Sequence, residues 1–159
     1  MHPAPEGANP TLYAILVFVH ILTTMVAVGL NASYVIWIRR GTANPNSLAF
    51  ALRGVKFIDD YVANPCYLAG GITGVAMIAL GKPMAPFLWV AIGLYVLAMA
   101  IAYGVYTPML SRQIMMLEQH RPTDAGYLTL ARRSDAVGML MGALVLIILA
   151  LKFFEPPLW

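Results

Sequence analysis

The first apolar run of the chain, Thr11–Ile38, reads TLYAILVFVHILTTMVAVGLNASYVIWI and contains no Asp, Glu, Lys or Arg. It is long enough to cross a bilayer, because about 20 helical residues span a hydrocarbon core of about 30 Å. His20 is its only strongly ionisable side chain. Such a group inside a membrane is costly unless it faces a partner, a cofactor or water. We therefore predict a transmembrane helix whose chemistry centres on His20.

The composition of the whole chain is that of an integral membrane protein in a lipid bilayer. Of its 159 residues, 60% are hydrophobic and only 11% are charged, whereas a soluble domain carries about 25% charged residues. This leaves no room for a sizeable water-soluble domain, and nothing favours nucleic-acid binding. Cys66 is the single cysteine, so an internal disulfide is excluded. Met1–Pro10 holds no Lys or Arg, so we expect a retained helix rather than a signal peptide.

Four apolar runs predict an all-α membrane protein, a four-transmembrane-helix bundle in a single domain over residues 1–159. The predicted spans are 11–38, 61–80, 86–107 and 136–154. Spans two and three are separated only by the short connection 81–85, so we expect them to be antiparallel neighbours. The other two connections are longer and amphipathic.

The basic residues predict the orientation of the spans. The first and third connections hold eight of the ten Lys and Arg residues: Arg39, Arg40, Arg53, Lys56, Arg112, Arg121, Arg132 and Arg133. By the positive-inside rule, these connections face the cytoplasm and both termini are non-cytoplasmic. The pattern is typical of a multi-pass protein of the cell membrane.

Both cytoplasmic connections are predicted to be ordered. Residues 47–60 mix apolar and basic side chains, which indicates either a helix on the membrane surface or a cytoplasmic extension of span two. Pro108 is expected to end or kink span three, and Asn64-Pro65 to mark a kink or first turn in span two. Thr123 or Asp124 is the expected N-cap of a helix that runs on into span four.

A polar stripe follows one face of the first span. At 100° per residue this face presents Tyr13, His20, Thr24, Ala27 and Asn31. We expect the stripe to face the bundle interior or another subunit. Neutral imidazole is a good ligand for haem iron or a soft metal, and it is equally suited to a hydrogen bond between helices. Both interpretations of His20 stay open. A mononuclear copper or zinc site is not expected, because it needs several convergent ligands.

Two other spans carry groups that would suit a cofactor. Gly70 and Gly74 form a small-xxx-small face, for which close helix packing is the expected role and contact with a flat macrocycle the alternative. In span three, Met99 shares a face with Tyr103 and Tyr106. This pattern predicts core packing and interfacial anchoring, with Met99 as an axial thioether ligand as the functional alternative.

Short motifs resemble a known superfamily of small bacterial membrane proteins. Phe18-Val19-His20-Ile21-Leu22, followed by Gly29 and Arg39-Arg40, resembles the first span of that superfamily. Its members include copper-resistance D-type proteins, the haem-containing bacterial protoporphyrinogen oxidase and an uncharacterised predicted-integral-membrane family. Thr73-Gly74 resembles the second-span motif of the last family, and residues 151–156 are similar to the Lys-Pro ending of the last span.

The resemblance implies a helical bundle in which His20 is the candidate haem ligand. It also implies that Lys152 matches a functional Lys in the last span of the oxidase relatives. Two departures argue against protoporphyrinogen oxidase activity. The third span lacks the His of those relatives, and Phe153-Phe154-Glu155 interrupts the Lys-Pro motif. The sequence does not decide whether the protein is an enzyme.

Two hypotheses about function follow. In the first, the protein binds b-type haem or porphyrin through His20 and acts in redox chemistry or haem metabolism. Thr24, Met99 and Lys152 are then further candidate cofactor-binding residues. In the second, it is a non-catalytic accessory subunit without a cofactor, packed in a homo-oligomer or a larger membrane complex. Transport of copper or another small solute is a weaker alternative, because the ten Met residues lack the repeated spacing of a metal relay.

Overall fold

The structure is a computed structural model that describes residues 4–119 and 124–157, without the side chains of residues 45 and 46. Over these residues the chain is helical and contains no strand. The described α-helices are α1 Pro10–Ala43, α2 Pro45–Ile58, α3 Asn64–Ala79, α4 Pro86–Ile101, α5 Thr107–Glu118 and α6 Ala125–Phe154. The predicted all-α class is confirmed.

Several of these helices join end to end. The π-helical segments Asp59–Ala63 and Ala102–Tyr106 connect α2 to α3 and α4 to α5 without a break. The described residues therefore form four helices long and apolar enough to cross a membrane: Pro10–Thr42, Ser47–Ala79, Pro86–Glu118 and Ala125–Phe154. At most 28% of any of their apolar windows is buried, which is expected of helices that face lipid.

Residues 47–60 belong to the same continuous helix as span two. The alternative of a separate helix on the membrane surface is therefore wrong, and the segment is an extension of the second span. The periodic burial along it agrees, because Leu48, Ala51, Leu52 and Val55 are all buried while Phe50 and Phe57 are exposed.

Pro65 and Pro108 each lie two residues after the end of a π-helical segment, behind Asn64 and Thr107 respectively. A proline lacks an N–H, and its ring clashes with the carbonyl four residues earlier in a regular α-helix. Each segment closes instead with a hydrogen bond that spans five residues: Asn64 N–H to the Asp59 carbonyl, and Thr107 N–H to the Ala102 carbonyl. This wider turn accommodates the proline. Both helices continue, so of the two expected effects of Pro108 the end of span three is wrong, while a kink stays a prediction.

The helix ends follow local rules of capping. Gly81, at φ +99°, ends the third helix in a left-handed conformation that glycine adopts without strain. Helix α6 begins after Asp124, whose Oδ1 accepts a hydrogen bond from the Gly126 N–H at 3.0 Å. Of the two expected N-caps, Asp124 is thus confirmed, while Thr123 lies outside the described residues. From this cap α6 runs on through the fourth span, as predicted.

The chain divides into two compact units. The first consists of the described parts of residues 1–31 and 58–85, and the second of residues 32–57 and the described part of 86–159. In the second unit α6 packs on α4 and α5, and the largest fully buried side chains there are Leu52, Val55 and Leu110. The first unit is built from the first part of α1 and from α3.

Asn31 and Tyr67 connect α1 to α3 within the first unit. The Asn31 Nδ2 donates to the Tyr67 hydroxyl at 2.8 Å, and the bond is partly buried. Because few competing partners exist in hydrocarbon, such a bond between spans contributes to helix association.

We expect a double-mutant cycle of Asn31→Ala and Tyr67→Phe to give a coupling free energy of about 0.6–1.7 kcal/mol. The free energy of unfolding is measured by titrating SDS into mixed micelles. Tyr61→Phe is the control for the second substitution, because the Tyr61 side chain is largely exposed and its effect should add to that of Asn31→Ala. Additive effects of Asn31→Ala and Tyr67→Phe would contradict the predicted coupling.

Candidate functional site

The polar stripe of α1 is the buried face of that helix in the first unit. Tyr13 is 4% exposed and Ala27 is fully buried, while His20, Thr24 and Asn31 are half-buried. The prediction that this face points inward is therefore confirmed. It is positioned against one face of α3, and the contacts between the two faces define the candidate site.

Gly70 and Gly74 of α3 allow α1 to approach closely. A Cβ on Gly70 would lie 3.2 Å from the Thr24 Oγ1, and a Cβ on Gly74 would lie 3.4 Å from the His20 Cε1. The expected packing role of this small-xxx-small face is therefore confirmed. Thr24 and His20 themselves occupy the space next to the two glycines. That space is therefore not open to a flat macrocycle.

The His20 ring is held by a backbone carbonyl of α3. Its Nδ1 lies 2.8 Å from the Gly70 carbonyl oxygen, which can only accept a hydrogen bond. The Nδ1 must therefore carry the proton and donate it, and in the neutral ring the Nε2 carries the lone pair. The contact thus selects one tautomer and one orientation of the imidazole.

Thr73 is a second polar neighbour of His20. Its Oγ1 lies 3.2 Å from the His20 Nδ1. The same hydroxyl is within donating distance of the Ala69 carbonyl at 2.8 Å and of the Gly70 carbonyl at 3.0 Å. Since its proton goes to a carbonyl, the Thr73 oxygen faces His20 as an acceptor. The donated Nδ1 proton is thus shared between two acceptors on consecutive turns of α3.

Sequence reasoning missed Thr73 and Tyr67 as partners of the α1 stripe. A partial signal was present, because Tyr67, Gly70 and Gly74 share one face of the helix and Thr73 lies one turn after Gly70. A separate polar pair lies earlier in the same helix, where Asp59 accepts a hydrogen bond from the Asn64 Nδ2 at 3.1 Å. Asp59 and Asn64 are only 6% and 5% exposed, so this pair is buried.

The remaining predicted site residues lie in the second unit. Met99 is in α4 and is half-buried. Lys152 is in the last turn of α6, where its ammonium group pairs with the Glu155 carboxylate and lies 5.5 Å from the centre of the Phe87 ring. Glu155, one of the residues that interrupt the Lys-Pro motif, therefore provides the counter-charge of Lys152. Of the four predicted cofactor-binding residues, His20 and Thr24 lie together on the α1–α3 contact.

Within residues 4–119 and 124–157, no group of three or more His, Cys, Asp or Glu side chains is placed to hold a metal ion.

The chain is similar to one family of membrane proteins over most of its length. The family model described as "Predicted integral membrane protein (DUF2269)" matches residues 14–156. Comparison with curated proteins and with solved structures gave no match. The expected place in a predicted integral membrane family is confirmed, whereas the wider superfamily of copper-resistance D-type proteins and protoporphyrinogen oxidase stays a prediction.

Proposed function

We propose that this chain, which belongs to the DUF2269 family of predicted integral membrane proteins, binds b-type haem through the His20 Nε2. The protein would sit in the bacterial inner membrane and act in redox chemistry or haem metabolism. The single observation that carries the proposal is the hydrogen bond from the His20 Nδ1 to the Gly70 carbonyl at 2.8 Å.

That hydrogen bond is the arrangement that metal-binding histidines use. Such a histidine usually donates its second ring N–H to a carbonyl or carboxylate, which holds the ring in place and makes the ligating nitrogen more basic. Here the Gly70 carbonyl and the Thr73 hydroxyl accept the Nδ1 proton. These two acceptors support the tautomer in which Nε2 is the basic nitrogen.

A single imidazole fits haem better than it fits a bare metal ion. A porphyrin supplies the four equatorial nitrogens, so the protein needs to provide only an axial ligand. The half-buried His20 ring lies on the contact between α1 and α3 and is held there by its Nδ1. Haem bound there would supply one-electron chemistry, and the Gly70 carbonyl and the Thr73 hydroxyl would hold the His20 ring in place through its Nδ1.

Met99 and Lys152 are the proposed further contributors. Met99 is the residue whose thioether would suit haem iron as a further ligand. Lys152 is the candidate for a propionate partner, for which it would exchange its present pairing with Glu155. Both assignments come from residue chemistry and from the family resemblance.

The second candidate function, that of an accessory subunit, is favoured by glycine faces that remain open. A Cβ on Gly93 or on Gly142 would meet nothing within 4 Å, although both lie in membrane-spanning helices. Open small residues permit close approach of a helix from another subunit. Isolation with other membrane proteins at fixed stoichiometry would support this role, and a second copy of the chain could use the same faces.

No contact in the described structure favours copper or solute transport.

We expect protein purified in detergent from haem-replete cells to show a Soret band and, after reduction with dithionite, the visible bands of b-type haem. A pyridine haemochromogen assay then measures the haem content per chain. Met99→Ala should change the axial-ligand spectrum and Lys152→Ala should reduce haem retention, each without removing the Soret band. Colourless protein from haem-replete cells would refute the haem proposal and leave the accessory role.

A further inference from the structure

A shallow groove of about 310 Å³ lies where the end of α1 meets the start of α2. All of its lining residues belong to the second unit: Trp37, Arg40, Gly41, Asn44, Ser47, Phe50 and Ala51. Trp37 and Phe50 are 47% and 68% exposed, and Arg40 is exposed as well. The groove therefore combines one cationic group with two aromatic side chains that face outward.

A tight turn gives this groove its shape. A Cβ on Gly41 would lie only 2.8 Å from the Ala51 Cβ, so the two helices come as close as the missing side chain permits. The Asn44 N–H donates to the Gly41 carbonyl at 3.1 Å. The Ser47 hydroxyl donates in turn to the Asn44 carbonyl at 2.9 Å. These bonds hold the turn, so the groove is a formed feature.

The charge of the groove is positive. Between Glu6 and Asp59 the sequence contains no carboxylate side chain. The neighbouring basic residues have acidic partners elsewhere in the unit: Arg53 is 3.3 Å from Glu118, and Arg39 acts electrostatically on Asp135. Arg40 is the cation that lines the groove itself. An occupant with complementary charge must be anionic.

We propose that this groove binds the headgroup of an anionic membrane phospholipid, with the phosphate on Arg40 and the start of the acyl chains against Trp37 and Phe50. Tryptophan is typical of the level of the headgroups, and arginine binds phosphate oxygens through its planar fork. The groove adjoins the end of the first span on the side predicted to be cytoplasmic, where anionic lipids attract basic residues. This proposal is independent of haem binding.

The test uses Trp37 as a local reporter in the full-length protein. Trp89→Phe and Trp159→Phe remove the other two tryptophans, and the protein is reconstituted in phosphatidylcholine vesicles containing either brominated phosphatidylglycerol or brominated phosphatidylcholine. Bromine quenches tryptophan fluorescence at short range, so the ratio of quenching measures lipid preference at the groove. Any other quencher acts equally in both vesicles. We expect about a fivefold preference for phosphatidylglycerol, the effect of one basic side chain at an anionic surface.

Arg40→Gln should abolish the preference, and Arg40→Lys should keep most of it. Arg112→Gln is the matched control, because Arg112 is an exposed arginine of α5 that does not line the groove, and it should change nothing. Equal quenching by both lipids in the parent protein would overturn the proposal. So would a preference that survives Arg40→Gln or disappears in Arg112→Gln. Loss of the preference on adding inorganic phosphate would show a site for free phosphate instead of lipid.

Discussion

Replacement of His20 by alanine is expected to yield protein without a Soret band, purified from the same haem-replete cells that give coloured wild-type protein. The proposed iron ligand is the Nε2 of this ring, and its orientation depends on the Nδ1 donating to the Gly70 carbonyl. Alanine removes both nitrogens. Absorption spectra of matched preparations, normalised to protein concentration, measure the loss.

The fold should survive this substitution. A hydrogen bond between spans contributes only about 0.6 kcal/mol on average and about 1.7 kcal/mol at most, so losing the contact to Gly70 should not unfold four long apolar helices. Circular dichroism and size-exclusion chromatography check this point. His2→Ala and His120→Ala are the matched controls, because these are the only other histidines in the sequence. Both are expected to keep the full Soret band.

Chemical rescue separates a ligand from a structural histidine. His20→Gly leaves space for an imidazole molecule beside Gly74, whose face the ring now covers. Added imidazole should therefore restore haem binding, as expected when the missing group is only the axial ligand. An undiminished Soret band in the His20→Ala protein would contradict the assignment, as would its loss in the His2 or His120 variant.

Substitution of Gly74 by leucine should destabilise the first unit by about 1–3 kcal/mol, the usual cost of overpacking a close contact. A Cβ there would already lie 3.4 Å from the His20 Cε1 and 3.7 Å from the Nδ1. The other three carbons of leucine would have to displace the imidazole or push α1 away from α3. Either movement also breaks the bond between His20 and Gly70, so we expect haem to be lost together with stability.

Gly29→Leu is the control for the size and helix propensity of the new side chain. Gly29 lies in the same unit, in α1, and a Cβ on it would meet nothing within 4 Å. Its substitution should not destabilise the protein and should raise the free energy of unfolding by at most about 1 kcal/mol, the helix-propensity difference between glycine and leucine. SDS titration in mixed micelles measures both variants. Equal stability of the Gly74→Leu and Gly29→Leu proteins would show that the close approach of α1 and α3 does not matter.

Pro108 shows where a local sequence rule was incomplete. Proline in a helix interior predicts a break because its ring clashes with an earlier carbonyl. The helices nevertheless pass Pro65 and Pro108, because a π-helical turn ahead of each one changes the hydrogen-bond register. No residue type marks such a turn in the sequence.

The glycines of α3 were ambiguous in the sequence for a different reason. Small residues at a four-residue spacing fit both a helix contact and a flat ligand, since each needs only an absent side chain. The distances from Gly70 to Thr24 and from Gly74 to His20 decided for the helix contact. Only the position of the neighbouring helix supplies that information.

The sequence by itself determined the membrane class, the positions of the apolar helices and the inward face of α1, because length, hydropathy and the helical period of 3.6 residues are local properties. It also singled out His20, as the one ionisable group in an apolar run. Only the tertiary structure decided what His20 contacts. Its acceptor is the backbone carbonyl of Gly70, and every residue carries such a carbonyl, so no sequence pattern could have identified this one.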